Sequence, residues 1–174
     1  MTETGEMLTL PGGTTARLVE RAEATQGERV EFEFTVPPGA PSPPLHFHPS
    51  QEERQEVVAG MLSVRLDGSW RSLREGESVS IAPGQAHTVV NRSSETARFR
   101  DVHVPALDFQ HYIEALHRLT QEGKITSMRS PSTLIYLSLV LCEHRETQLT
   151  ANAAQRAAES FLASIGRLLG YRTA

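Results

Sequence analysis

The chain has 174 residues, enough for one domain with a proper core or for one domain and a modest extension. Apolar residues make up 39% of it and charged residues 22%, the balance of a soluble globular protein. The formal net charge is -4 and no Lys/Arg cluster stands out, so nucleic-acid binding has no electrostatic support.

Residues 1–6 carry no basic stretch leading into an apolar one, which predicts no signal peptide and a cytoplasmic location. No run reaches about 18 apolar residues, so no membrane span is expected. Short β-type segments then alternate with Gly, Pro, Asn and Asp turns as far as Pro105. Thr15–Glu20 and residues 29–36 read as strands. The second alternates, with Val30, Phe32, Phe34 and Val36 on one face and Glu31, Glu33 and Thr35 on the other, wet one. The proline-rich stretch 37–44 is a loop, because proline cannot donate to a ladder. Strands follow at 45–48, 55–59 and Met61–Leu66. Asp67-Gly68 signals a hairpin turn into a return strand at 70–73, on which Trp70 is expected to pack. Residues 77–82, 87–91 and 96–104 complete a set of short, evenly spaced strands, the pattern of a sandwich or small barrel.

After Pro105 helical periodicity takes over, which divides the chain into 1–106 and 107–174. Asp108 can cap a first helix carrying Tyr112, Ile113, Leu116 and Leu119, and Gly123 can end it. Ser130-Pro131 starts a second helix through about Glu143. Its apolar residues run nearly all round, so it should be buried against the barrel or a partner chain. It holds the single cysteine, Cys142, expected to be a buried and inert thiol. A third helix spans about 151–169, with Gly170 as its stop. His111, His117 and His144 lie on or beside these helices and are expected to face solvent.

The chemistry concentrates in four side chains. His46 and His48 are two apart, so an extended segment points both to one face. A carboxylate, Glu52 or Glu53, follows closely, and His87 arrives on a later strand. Imidazole with carboxylate suits divalent Fe, Mn, Ni, Cu, Co or Zn. Three imidazoles and one carboxylate leave positions open on an octahedral ion. Gln55 and His103 are the candidates for pocket or acid/base roles, since either joins the pocket if its strand phase points inward.

Glycines frame these residues. Gly39 precedes the histidine pair, and Gly60 follows Glu53 after six residues. A second block runs from Gly76 through Pro83 and Gly84 to His87, with Asn91 four residues beyond. This arrangement resembles the two motifs of the cupins over residues 15–104. It departs in a proline loop one residue longer than the motif and in Ala82, which stands where the motif has proline. The six-residue spacing to Gly60 favours Glu53 over Glu52.

The resemblance implies a mainly β fold, a cupin-type double-stranded β-helix (jelly-roll) barrel followed by about three α-helices. It implies one divalent transition-metal ion (Fe, Mn, Ni or Zn) on His46, His48, Glu53 and His87. The expected function is a metal-dependent enzyme, dioxygenase-like above all, acting on a small organic molecule. The alternative is a non-catalytic small-molecule binder or sensor. The apolar second helix makes a homodimer the expected assembly.

Overall fold

The computed structural model describes residues 2–127 and 129–173. Its strands are β1 (Met7–Thr9), β2 (Thr15–Glu20), β3 (Val30–Val36), β4 (His46–Phe47), β5 (Glu52–Ala59), β6 (Met61–Leu66), β7 (Ser69–Arg74), β8 (Ser78–Ile81), β9 (His87–Val90), β10 (Ala97–Val104) and β11 (Leu149–Thr150). Its helices are α1 (Phe109–Gln121), α2 (Pro131–Glu143) and α3 (Ala153–Leu168).

The strands form two antiparallel sheets. One has the order β1-β2-β3-β10-β5-β8, the other β11-β4-β9-β6-β7. Alternation sets which face is buried. On β3 Val30, Phe32, Phe34 and Val36 are buried, while Glu31 and Glu33 reach outward to Arg100 and Arg17. On β10 Ala97, Phe99, Asp101 and His103 share the inward phase. Phe34 stacks on Phe99 across the β3–β10 pairing, with ring centroids 5.2 Å apart.

Two turns fix the register. Asp67 and Gly68 have φ of 51° and 80°, the left-handed pair that a two-residue hairpin between β6 and β7 requires. Gly60, between β5 and β6, has φ 76°, and a Cβ there would sit 2.8 Å from the Thr96 carbonyl oxygen. Only glycine lets these two backbones approach so closely.

The helices pack on the barrel. Phe109, Tyr112, Ile113, Leu116 and Leu119 line the buried face of α1 and join one apolar core with Leu8, Phe32 and Phe34. His117 faces this contact and not solvent: its Nδ1 accepts the Thr9 N–H at 2.9 Å. Asp108 makes no side-chain cap. Its carboxylate instead accepts from Thr147 Oγ1 and His144 Nδ1, which also removes His144 from the solvated class. The second helix packs against both α1 and α3 and is covered on most of its circumference: Thr133, Ser138, Leu139 and Val140 are inside, while Leu134, near its start, is 42% exposed. Cys142 is half-buried and accepts from Arg145 Nη2 at 3.3 Å, so it is less enclosed than its apolar neighbours suggest. Asn152 caps α3 by accepting the Gln155 N–H at 3.0 Å. Trp70 is exposed, and the Arg92 guanidinium lies 3.7 Å over its ring, so its packing is at the surface.

Two strands escape sequence reading. β1 is three residues long, too short for a pattern. β11 is two residues of the tail that pair, among the described residues, with β4 about a hundred residues earlier. No helix among the described residues is long and apolar enough to cross a membrane.

Candidate metal centre

The site lies between the two sheets. His46 and His87 are direct cross-strand partners on β4 and β9, and His48 follows β4 by one residue. Glu53 comes from β5 in the opposite sheet, where it pairs with His103 of β10. All four ligand candidates are buried, and their ligand atoms lie within 4.8 Å of one another, a set that could hold a metal ion. Glu52 points to solvent from the other face of β5, so the phase of the strand decides for Glu53.

Each imidazole is held the same way. Nδ1 of His46 donates to the Pro44 carbonyl at 2.8 Å, Nδ1 of His48 to Thr147 at 2.6 Å, and Nδ1 of His87 to Gln85 at 3.1 Å. A carbonyl only accepts, so each bond puts the ring proton on Nδ1 and leaves a lone pair on Nε2. Gln55 Nε2 donates to Glu53 Oε1 and orients the carboxylate. Glu53 Oε2 then lies 2.7 Å from His87 Nε2 and 3.0 Å from His48 Nε2.

Those distances test the fit of an ion. Glu53 Oε2 and His87 Nε2 are both buried and lack a hydrogen-bond partner. Two lone pairs at such a distance repel unless a proton or a cation lies between them. Ligands at right angles around an ion with bonds of about 2.1 Å stand about 3 Å apart, close to the separations found. The donor set, three neutral nitrogens and one carboxylate oxygen, suits a divalent transition metal.

The electrostatics follow from burial. His46 is driven down to about 3 by desolvation and by His87 and His48. Desolvation opposes charge on Glu53, but the adjacent imidazoles of His87 and His48 outweigh it and hold the carboxyl well below its usual range. Burial lowers His87, yet adjacent Glu53 raises it on balance.

A second layer of polar residues adjoins the four. His103 is fully buried, its ring stacked on Phe109 with centroids 3.5 Å apart, and its Nε2 is 3.2 Å from Asp101 Oδ2. Burial pushes the His103 pKa well below its usual value. Burial and the Glu53 charge push the Asp101 carboxyl well above its own. Both residues are thus driven towards their neutral forms. Gln55, Asp101 and His103 line a cavity of about 220 Å³ that also reaches His46, His48 and Glu53. Its far wall comes from the tail, through Phe109, Tyr112, Leu116, Leu137, Val140 and Gln148. Asn91 is structural: its side-chain amide donates to the Val36 and Glu95 carbonyls.

Sequence reading missed Asp101, Phe109 and Thr147. Asp101 was findable, since it shares the inward phase of Phe99 and His103. Phe109 and Thr147 reach the site only through the packing of the tail.

Residues 32–104 match the family model of the cupin domain. The barrel belongs to the cupin superfamily. This cupin match ends at Val104, before α1 begins. Among solved structures, KdgF from Halomonas sp. superposes with a TM-score of 0.54 at 18% identity, over 60% of this chain and 90% of that one. An RmlC-like cupin from Shewanella frigidimarina gives 0.53 at 22%, over 63% and 92%. A predicted oxalate decarboxylase from Thermotoga maritima gives 0.52 at 20%, over 59% and 92%. At these identities the likeness is one of fold alone. A search of curated protein sequences found no match.

Proposed function

We propose that this cupin is a metal-dependent enzyme with one ion on His46, His48, Glu53 and His87, acting on a small organic molecule, dioxygenase-type oxidation being the favoured reaction. The observation that carries the reading is the shared tautomer of the three imidazoles. Three Nδ1–H groups are tied to backbone carbonyls, so three Nε2 lone pairs converge beside one carboxylate. Three nitrogens and one oxygen leave two octahedral positions for a substrate and a second reactant, whereas a purely structural site is usually closed. A divalent ion there supplies Lewis acidity and, as iron(II), redox chemistry with dioxygen.

The chain's own residues do the rest. Gln55 fixes the Glu53 carboxylate. Asp101 and His103 hold a proton between Oδ2 and Nε2 at the cavity floor. Apolar residues of α1 and α2 wall the cavity beside it.

Anaerobic reconstitution with Fe, Mn, Ni or Zn is expected to give about one ion per chain. Glu53→Gln should weaken retention at least tenfold, and Glu52→Gln should leave it unchanged. Wild type that retains none of these ions ends the proposal. Dioxygen uptake by the iron(II) form with phenols, enols and thiols tests the reaction.

A second reading, a non-catalytic binder or sensor, is favoured by the tail helices that wall the cavity; a ligand-induced thermal shift without turnover would select it. With another ion, isomerase or decarboxylase chemistry fits the same residues. The proposal includes a homodimer, for which Phe161, Leu168 and Leu169 on and beside α3 are exposed apolar residues; light scattering tests it. It also includes a cytoplasmic location.

A further inference from the structure

The lining of the cavity narrows its ligand. No lysine or arginine lines it among the described residues. The positive charge available to a ligand is then the ion's alone. A divalent ion beside ionised Glu53 leaves one net positive charge, enough to match one anionic donor. A dianion would add a second, uncompensated charge in a buried space, which is strongly unfavourable.

The walls are apolar. Phe34 and Phe99 stand on one side, Leu62 in the barrel, and Leu116, Leu137 and Val140 on the tail. The floor carries three buried atoms without hydrogen-bond partners, Gln55 Oε1, Asp101 Oδ1 and His103 Nδ1. Buried polar atoms are normally satisfied, so a group from a ligand belongs beside them. Size suits a small ring. A dry cavity of about 150 Å³ lined by Leu, Ile and Phe holds benzene. The 220 Å³ here accommodates one ring and a short substituent.

We propose that the cavity takes a single-ring phenol bearing a short apolar substituent, uncharged in solution, with its hydroxyl at the Gln55–Asp101–His103 floor and its ring against Phe34 and Phe99. Small dicarboxylates are disfavoured by their second charge, and sugar acids by hydroxyls that the apolar walls cannot pair. This deepens the proposed function and rests on it.

The test uses the zinc-loaded full-length protein, in which no redox turnover obscures binding. Isothermal titration compares 4-ethylphenol with ethylbenzene, oxalate and galacturonate. 4-Ethylphenol should bind at least tenfold tighter than each of the others. Leu137→Trp should abolish that binding while zinc stoichiometry stays at one. Oxalate or galacturonate binding as well as 4-ethylphenol overturns the inference and leaves the metal site standing. Should zinc not be retained, titration of the metal-free protein still decides: tenfold selectivity for 4-ethylphenol upholds the cavity assignment while the metal reading falls, and equal or absent binding overturns both.

Discussion

Acid should unfold the metal-free protein partly through His46. Burial, with His87 and His48 beside it, lowers its pKa from 6.5 to about 3. The unfolded chain titrates near 6.5. Between those values the unfolded state holds a proton that the folded state lacks, so stability falls as pH falls. At about 1.36 kcal/mol per unit, this one group costs about 2 kcal/mol at pH 5 relative to pH 8, approaching about 5 kcal/mol at the acid end. His103, also lowered by burial, acts in the same direction. Glu53, held low, stabilises above the usual carboxylate range and loses that effect as pH falls through its folded value. His87 opposes them: its raised pKa gives stabilisation that is complete below about pH 6.5 and lost as pH rises through its folded value. Urea denaturation after chelator treatment separates the contributions. Between pH 8 and pH 5, wild type should lose about 2 kcal/mol more than His46→Gln. Equal losses would refute the argument that burial keeps His46 neutral.

Three further outcomes follow from the same geometry. Asp108→Ala removes the acceptor of Thr147 Oγ1 and His144 Nδ1, and so loosens the carbonyl that orients His48; zinc affinity measured by chelator competition should drop about tenfold, and an unchanged value would show that the tail does not position this ligand. Gly60→Ala forces a Cβ against the Thr96 carbonyl at positive φ; a loss of about 2 kcal/mol is expected in urea, and a neutral result would contradict the close approach. Phe109→Ala deletes a buried ring stacked on His103; it should cost about 3–5 kcal/mol, read from the unfolding midpoint.

The barrel was readable because its strands alternate and its turns use residues with special backbone freedom. Val30 to Val36 declare their buried face, and Asp67-Gly68 declares a hairpin. The four clustered residues were readable in two ways: His46 and His48 share a phase and Glu53 keeps the phase of Gln55 and Val57, while His87 came from the resemblance of the second block to a cupin motif. What lay further apart was not. His103 had two open orientations until β10 paired with β5 opposite Glu53. Asp108 matched a helix cap by position, yet its carboxylate went to Thr147 and His144, 39 and 36 residues away in the chain.

The sequence by itself determined the barrel, the three helices and the four residues that meet between the sheets, because period, turn chemistry and ligand spacing are properties of neighbours along the chain. Only the tertiary structure decided that the tail walls the cavity, that Thr147 orients His48, and that Asp101 and His103 are driven neutral. Those outcomes depend on which distant segments exclude water from the same small volume, and no local pattern encodes that.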